Sequence, residues 1–310
     1  MTEHEPLIPR FGASIDPSTG NLEQAFRLAR LADNNELDLI TSQDHPYIRN
    51  HLDTWTLLSA LAMRTEQVHL ATNVANLPLR PPVMLAKAAA TLDLLSGGRF
   101  EMGLGAGFNW PGVQAMGGSK RSPGEAVTAF EEALKILRGF WDNADGTLKF
   151  EGEYYQAPGA RPGPPPAHRI PIWTGAYGPR MLDLTGRLAD GTLFTSNYLA
   201  PAGLDEANRR IDQGAQKAGR SESEVRRGYN IMGVIGQGSP DAAEWKEGQL
   251  RGGVSGWVRE LERLYREQRM DTFIFWPIGG EEERQVEVFA REVVPQVKDL
   301  IRSSRRPPGQ

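Results

Sequence analysis

The sequence contains no cysteine among its 310 residues, so it can form neither a disulfide nor a zinc–thiolate site, and it has no thiolate nucleophile. No apolar run approaches the ~20 residues that a membrane-spanning helix needs. Basic residues do not exceed acidic ones, and the formal net charge of -4 gives no electrostatic basis for binding nucleic acid. The first residues lack a basic segment followed by an apolar one, which argues against a secretory signal. These absences favour a cytoplasmic protein.

Several sequence motifs of catalysis are also missing. The chain has no HExxH zinc motif, no P-loop, no GxSxG and no Rossmann GxGxxG followed by an acidic residue. His51 follows His45 by six residues, but no cluster of carboxylates accompanies the two histidines. The sequence therefore predicts no metal site.

Short β-prone runs alternate with helical patterns along the chain, which is typical of βα units around a parallel sheet. The predicted strands cover residues 8–15, 37–42, 68–74, 100–105, 170–175, 191–197, 228–235 and 272–277. The predicted helices cover residues 21–34, 54–64, 83–95, 124–141, 179–188, 204–218, 255–269 and 281–301. Strict alternation of eight strands and eight helices predicts an α/β protein with a single-domain (β/α)8 TIM barrel, a fold that chains of this length form as one unit.

The long break in this alternation, residues 142–168, predicts an insertion before the fifth strand. Its strand-like pieces 147–150 and 154–156 indicate a hairpin followed by a loop rich in proline and glycine. Such an insertion lies at the N-terminal face of a barrel, which favours a structural or dimer-contact role. Glu131 and Glu132, beside Lys135 in the preceding helix, indicate a solvated helix face. One domain is expected over residues 1–310, with a flexible tail at 302–310.

Barrel enzymes place their sites at the C-terminal ends of the strands, so the residues that follow each strand are candidates. His45 follows the second strand and precedes a proline, a position that fits an acid/base role as well as a structural one. After the third strand, the run Thr72-Asn73-Val74-Ala75-Asn76 fits either a bulge that redirects backbone groups or a simple turn. The residues leave both alternatives open.

Two glycine-rich runs follow the fourth and fifth strands. They read Gly105-Ala106-Gly107-Phe108-Asn109 and Gly175-Ala176-Tyr177-Gly178-Pro179-Arg180. The second run leads into a helix, whose free N–H groups and positive dipole end favour an anion. Two such loops on one barrel face predict a phosphate-bearing ligand. The run Thr195-Ser196-Asn197 after the sixth strand, with Trp276 and Pro277 after the eighth, fits the lining of a substrate pocket. Barrel packing is an equally good interpretation for Phe275 and Trp276.

Three runs together resemble the luciferase-like monooxygenase family, the flavin and deazaflavin oxidoreductases of the bacterial luciferase type. They are Asp44-His45-Pro46, residues 91–99 leading into the run from Gly103 to Gly107, and the run from Gly175 to Arg180. The middle run is the most specific, and the resemblance covers about residues 10–300. The fold of that family is a TIM barrel, which agrees with the independent strand count.

The resemblance implies a set of cofactor-binding residues. In the branch that uses the deazaflavin coenzyme F420, the third strand ends in a bulge with a non-prolyl cis peptide that supports the ring. Counting back from Arg80 places that bond between Asn73 and Val74, with Ala75 next. The resemblance further implies that Asp44 and His45 face the ring, and that Gly105, Ala106, Gly107 and Asn109 approach the cofactor. Its phosphate would be held by Gly175, Ala176, Tyr177, Gly178 and Pro179.

The expected function is hydride transfer between coenzyme F420 and a small, rather apolar organic substrate, with His45 as acid/base or electrostatic partner. Deazaflavin sugar-phosphate dehydrogenases of the family carry a glutamate after the glycine loop. Here Phe108 stands at that place with Trp110 nearby, which favours an apolar substrate. One alternative is an FMN monooxygenase that uses reduced flavin and oxygen. Another is a non-catalytic cofactor-binding barrel or inactive partner subunit. A homodimer is expected.

Overall fold

Eight parallel strands close into a barrel in the computed structural model, which describes residues 7–143, 146–236 and 241–305. The strands of the described residues are β1 (Arg10–Ser14), β2 (Leu39–Ser42), β3 (His69–Thr72), β4 (Ala75–Asn76), β5 (Phe100–Gly105), β6 (Leu148–Glu151), β7 (Gln156–Ala160), β8 (Ile172–Thr174), β9 (Gly191–Thr195), β10 (Arg226–Ile235), β11 (Ala243–Lys246), β12 (Gln249–Gly252) and β13 (Thr272–Pro277). The barrel order is β1, β2, β3, β5, β8, β9, β10 and β13, and β13 pairs with β1 to close the ring. The predicted (β/α)8 barrel is confirmed.

Helices separate the barrel strands and pack around them. They are α1 (Leu22–Asn34), α2 (Thr54–Ala62), α3 (Pro82–Ser96), α4 (Trp110–Ala115), α5 (Pro123–Trp141), α6 (Pro179–Leu188), α7 (Leu204–Lys217), α8 (Val254–Gln268), α9 (Glu282–Val288) and α10 (Val294–Arg305). A π-helical segment, Phe289–Val293, joins α9 to α10. In the part of the chain that the structure describes, no helix has the length and apolar character to cross a membrane.

Local sequence signals account for the helix ends on which the barrel register depends. Helix α3 begins at Pro82 and ends at Gly97, whose φ of 71° is the left-handed conformation that glycine adopts at low cost. Helix α5 begins with a capping box, in which Ser122 accepts the N–H of Glu125 and the Glu125 carboxylate accepts the N–H of Ser122. These signals are local, so the sequence predicts these ends within one or two residues.

The insertion hairpin forms, but its second arm lies further along the chain than predicted. Strand β7 spans Gln156–Ala160 instead of residues 154–156, and it pairs antiparallel with β6. The cause is Glu132, which is buried and accepts the backbone N–H groups of residues 153–155 at 2.7 to 3.0 Å. These three residues therefore form the turn. The prediction that Glu132 lies on a solvated face is wrong, whereas Glu131 does pair with Lys135 on the surface.

Three further elements differ from the sequence prediction. The short helix α4 and the antiparallel hairpin β11–β12 were not predicted, and β12 extends the sheet beside the C-terminal half of β10. The hairpin turns at Glu247 and Gly248, both with positive φ, so its only sequence signal is a single Glu-Gly pair. Helix α10 continues to Arg305, so residues 302–305 of the expected flexible tail are helical. Residues 306–310 lie outside the described residues.

The barrel interior is layered along its axis. At the N-terminal ends of the strands, the buried carboxylate of Glu101 accepts hydrogen bonds from Arg10 at 2.6 Å and from the Trp173 ring N–H at 2.7 Å. An apolar layer follows, formed by Leu39, Ala71, Trp173, Leu193 and Ile274. Because this layer fills the barrel, any ligand space has to lie above it, at the C-terminal ends of the strands.

Candidate functional site

A cavity of about 490 Å³ opens at the C-terminal ends of the barrel strands, a volume in the usual range for small-ligand sites. Its lining comes from segments that follow five of the eight barrel strands, β2, β3, β5, β8 and β9, and from residues of β5, β9 and β13. The lining residues are Gln43, Asp44, His45, Tyr47, Asn73, Val74, Ala75, Asn76, Gly105, Gly107, Phe108, Gly175, Tyr177, Leu193, Thr195, Tyr198 and Trp276. The site lies where the fold predicts it.

Most residues predicted from the sequence meet in this cavity, and some do not. Those that line it are Asp44, His45, Asn73, Val74, Ala75, Gly105, Gly107, Gly175 and Tyr177. Ala106 instead packs against the hydrophobic core, and Ala176 lies within it. Asn109 accepts the Gly112 N–H at 3.2 Å and thereby caps α4. Gly178 is the N-cap of α6, and Pro179 borders a separate surface groove of about 390 Å³.

Other lining residues were not assigned to the site from the sequence. Of the two aromatic residues left open after the eighth strand, Trp276 lines the cavity, whereas Phe275 is buried against Trp257. No sequence pattern indicated that Leu193 or Tyr198 belongs to the cavity. Leu193 points inward from β9, and Tyr198 reaches the cavity from the turn after β9. The strand-alternation rule finds Leu193 once the barrel is known, but Tyr198 needs the loop conformation.

The side chain of Val74 explains two of the glycines around the cavity. A Cβ atom on Gly105 would lie 2.7 Å from Val74 Cγ2, and one on Gly175 would lie 3.0 Å from the same atom. Both distances are shorter than a normal carbon–carbon contact, so only glycine leaves room for Val74 between β5 and β8. The group that approaches these backbones is therefore Val74 itself. The peptide bond between Asn73 and Val74 is cis, as the resemblance implies.

Asp44 is buried at the cavity wall and both of its carboxylate oxygens are engaged. Arg80 binds it through two nitrogens at 3.0 and 3.1 Å, and the Asn76 N–H donates to it at 2.9 Å. Arg80 also binds Asp53, the residue that caps α2. Asp44 thus ties the end of β2 to β4 and fixes the backbone of Asn76. The resemblance implies a cofactor role for Asp44 and does not indicate this anchoring contact.

His45 lies in the cavity with Tyr47 and near His51. Its Nδ1 is 2.8 Å from the Tyr47 hydroxyl, and its ring centroid is 6.4 Å from that of His51. Burial lowers the pKa of His45 below its ordinary value of 6.5, and the positive charge that His51 can carry adds to this effect. His45 is therefore neutral at pH 7. Because Nδ1 is engaged by Tyr47, Nε2 is the nitrogen left for a ligand.

Asn73 lines the cavity and is held by a second asparagine, the buried Asn230. Asn73 Nδ2 donates to Asn230 Oδ1 at 2.6 Å and to the Thr41 hydroxyl at 3.1 Å. Asn230, in the middle of β10, also donates to the Phe194 carbonyl at 2.9 Å. This network holds the segment after β3 against the opposite wall of the barrel. Asn230 carried no recognisable signal, since an asparagine within a strand gives no hint of a partner 157 residues away.

One polar atom of the cavity wall lacks a partner. Asn76 Oδ1 is buried, and within the described residues nothing donates a hydrogen bond to it. A buried amide oxygen without a donor costs about 1–3 kcal/mol, so such atoms are uncommon unless a ligand or water satisfies them. Asn76 lies next to Ala75 and Val74 in the same cavity. Asn76 lines the cavity but its Oδ1 is shielded from it, so a rotation of the amide would present this acceptor to a ligand N–H or O–H beside an apolar surface.

Electric charge is scarce around the cavity. Among the described residues that line it there is no lysine or arginine, and the one carboxylate there, Asp44, is neutralised by Arg80. The start of α6, just beyond Gly175 and Tyr177, has no side-chain cap, and Arg180 in its first turn is exposed. An anionic group is therefore favoured at this edge and not inside the cavity. Within the described ranges, no set of three or more histidine or acidic side chains is arranged to hold a metal ion.

Comparisons with known proteins agree with this architecture. The family model of luciferase-like monooxygenases matches residues 7–286. The chain is 34% identical over 219 residues to a 5,10-methylenetetrahydromethanopterin reductase of Methanolobus tindarius, covering 69% of this chain and 62% of that protein. It is 31% identical to an F420-dependent glucose-6-phosphate dehydrogenase of Nakamurella multipartita, covering 59% of this chain and 56% of that protein. The chain thus matches about three fifths of the length of these relatives.

Among solved structures, the coenzyme F420-dependent tetrahydromethanopterin reductase of Methanopyrus kandleri superimposes with a TM-score of 0.81 at 21% identity. The match covers 94% of this chain and 100% of that chain. The fold and the cavity define a (β/α)8-barrel protein with a cavity at the C-terminal ends of its strands. With the family model matching most of its length, the chain belongs to the luciferase-like monooxygenase family. The relatives named above are oxidoreductases.

Proposed function

We propose that the cavity binds the deazaflavin coenzyme F420 and that the protein transfers a hydride between this coenzyme and a small, apolar organic substrate. Two kinds of support carry the coenzyme assignment: the names of the similar oxidoreductases and the match of the cavity to the group. When bound, the coenzyme supplies a ring carbon that accepts or donates the hydride. The protein supplies the binding surface, the orientation and a proton acceptor.

The observation that carries the proposal is the meeting of Val74 and Asn76 in one cavity. Val74 stands between Gly105 and Gly175 and offers an apolar surface to the face of a flat ring. A rotation of the Asn76 amide would bring its unsatisfied Oδ1 to an N–H at the edge of such a ring. The uncapped start of α6 suits the phosphate that the coenzyme carries. A flat polar-edged ring with a phosphate arm fits all three features.

His45 is the proton-handling residue of this proposal. It is neutral at pH 7 and its Nε2 is available. It can therefore accept the proton of a substrate hydroxyl while the hydride leaves the carbon that bears this hydroxyl. In the reverse direction the protonated ring returns that proton. Replacing His45 with alanine should lower turnover by about 10²- to 10⁴-fold and leave coenzyme binding nearly unchanged.

Binding titrations test the coenzyme assignment directly. The purified protein is titrated with oxidised F420 and, separately, with FMN, and the quenching of ligand fluorescence is followed. We expect saturable binding of F420 and a much weaker response to FMN. The Asn76→Ala variant should bind F420 about 5- to 100-fold more weakly, because the ring N–H loses its acceptor. Met84→Ala, which changes an exposed side chain of α3, is the matched control and should bind like the wild type.

Two results would overturn the proposal. Tight FMN binding without an F420 response would indicate the flavin monooxygenase alternative. Equal F420 affinity in the wild type, Asn76→Ala and Met84→Ala would mean that the coenzyme does not use the Asn76 acceptor, and that the cavity assignment is wrong. Full turnover by His45→Ala would remove His45 from the reaction but not the coenzyme from the cavity.

A further inference from the structure

Three aromatic side chains surround the opening of the cavity, and we refer to Phe108, Tyr177 and Tyr198 together as the aromatic rim. They come from the loops after three successive barrel strands, β5, β8 and β9. The Phe108 and Tyr198 ring centroids are 5.9 Å apart, and those of Tyr177 and Tyr198 are 5.7 Å apart. Phe108 is 75% exposed and Tyr198 is 65% exposed. Adjacent exposed rings at a cavity mouth form an apolar patch of the kind that marks a ligand site.

The rim is partly fixed in place. The Tyr177 hydroxyl accepts the Thr195 N–H at 3.0 Å, and its ring packs 6.2 Å from the ring of Phe194. Tyr177 is therefore held against the barrel wall and gives Tyr198 a firm support. The outer rings of Phe108 and Tyr198 keep most of their surface free for a ligand. A rigid inner ring with two exposed outer rings can contact a flat molecule with little loss of side-chain entropy.

Polar and charged groups are distributed unevenly around the same cavity. The polar residues of the wall include His45, Tyr47 and Asn76, and none of the described residues that line it is a lysine or an arginine. Nothing in the cavity therefore neutralises a phosphate or carboxylate on a substrate. A charged substrate would lose its hydration at the aromatic rim without an opposite charge in return.

We propose that the aromatic rim is the substrate-recognition site and that it binds a neutral aromatic or conjugated ring, with the reacting group of the substrate directed toward His45. The substrate role rests on the function proposed above. Ring binding itself requires no turnover and no coenzyme, so it can be tested separately. Offset or edge-to-face packing against a rim ring adds about 0.5–1.5 kcal/mol beyond area burial, a factor of about 2 to 12 in affinity for each ring.

A pair of probes of nearly equal size separates ring stacking from simple hydrophobicity. The dissociation constants of 2-naphthol and of its saturated analogue decahydro-2-naphthol are measured by ligand-observed NMR with the full-length protein. We expect the wild type to bind 2-naphthol at least fivefold more tightly. Phe108→Ala and Tyr198→Ala should each weaken 2-naphthol binding by about 2- to 12-fold and reduce the preference over the saturated probe.

Two further variants serve as controls. Tyr198→Phe keeps the ring and should bind 2-naphthol like the wild type, and Met84→Ala removes an exposed apolar side chain that does not line the cavity and should do the same. Circular dichroism and thermal unfolding establish that each variant is folded. Equal binding of the two probes by the wild type, or unchanged 2-naphthol binding in both alanine variants, would overturn the proposal.

Adding saturating F420 distinguishes the rim from the coenzyme site. We expect 2-naphthol to bind in the presence of F420, because the exposed rings of Phe108 and Tyr198 come from other loops than Val74 and Asn76. Competitive displacement of 2-naphthol by F420 would show that the rim holds the coenzyme and would overturn the substrate assignment. If the protein binds no F420 but keeps the ring preference and its loss in the alanine variants, ring recognition stands and the proposed function fails.

Discussion

At the scale of single residues, the site depends on side chains that hold other side chains. Asp44 does not present a free carboxylate, because Arg80 and the Asn76 N–H engage both of its oxygens. The pairing leaves little net charge at the wall and fixes the strand segment that carries Asn76. A buried carboxylate in such a pair is costly to leave without its partner. Sequence motifs identify Asp44 as important but do not distinguish anchoring from ligand binding.

The histidine pair gives a prediction at this scale. Because the charge on His51 contributes to lowering the pKa of His45, His51→Asn should raise the pKa of His45 toward its ordinary value of 6.5. A larger fraction of His45 is then protonated near pH 6, so any reaction step that needs neutral His45 declines at a higher pH than in the wild type. An NMR titration of the ring proton signals measures this pKa, and the His45→Ala spectrum identifies the signal.

His168→Asn is the control for that measurement, since His168 precedes β8 at the opposite end of the barrel. It should leave the pKa of His45 unchanged. An unaltered or lower pKa for His45 in His51→Asn would show that the interaction between the two rings does not act as the geometry indicates.

At the scale of secondary-structure elements, local capping signals make the ends of some helices predictable from the sequence, whereas a long-range contact shifts one strand from its predicted position. The ends of α3 and α5 follow from proline, glycine and a capping box within four residues of each end. The position of the second arm of the insertion hairpin does not follow from local signals, because Glu132 accepts the backbone N–H groups of residues 153–155 and holds them in a turn. The sequence shows Glu132 beside Glu131 in a helix, and nothing local separates the two. Only the packing of β6 and β7 on α5 gives them different roles.

Glu132→Gln should destabilise this hairpin. The side-chain amide of the variant has one oxygen to accept a hydrogen bond, and its own N–H group faces the backbone N–H groups of residues 153–155 that the second carboxylate oxygen had accepted. We expect a loss of about 2 kcal/mol in local stability. Hydrogen exchange of the amides of residues 148–160 measures the loss of protection. Glu131→Gln is the matched control on the same helix, since Glu131 pairs with Lys135 and Arg187 at the surface and such pairs contribute little. Equal effects of the two variants would contradict the assignment.

At the scale of the whole molecule, the barrel interior sets where a ligand can enter. Glu101 and its partners close the N-terminal end, and the apolar layer around Trp173 fills the middle. Asn73, held by the buried Asn230, lines the cavity at the C-terminal end. Burial alone would raise the pKa of Glu101, but hydrogen bonds and charge from His69 and Arg10 hold it well below its ordinary value of 4.5. The ionised form is therefore the stable one in the folded protein.

This arrangement predicts a specific acid sensitivity. Since the folded-state pKa of Glu101 is depressed, its contribution to stability is complete above the unfolded value near 4.5 and is lost progressively as the pH falls below it. Glu101→Gln should cost about 3 kcal/mol in the free energy of unfolding at pH 7, and the difference from the wild type should shrink below pH 4.5. Urea unfolding at pH 7, 5, 4 and 3 measures both quantities.

Glu23→Gln, an exposed change on α1, is the control and should differ little from the wild type at any of these pH values. A difference between Glu101→Gln and the wild type that stays constant from pH 7 to pH 3 would mean that the ionisation of Glu101 is not linked to folding.

The sequence by itself determined the number and order of the barrel strands, the ends of several helices and the strand ends at which the site lies, because these depend on periodicity and on capping residues close in the chain. The tertiary structure decided which side chains meet. Asn73 and Asn230 pair across 157 residues, Val74 fills the space that Gly105 and Gly175 leave, and Phe108, Tyr177 and Tyr198 join from three loops. Such contacts depend on strand register and loop conformation, and no local sequence pattern specifies either one.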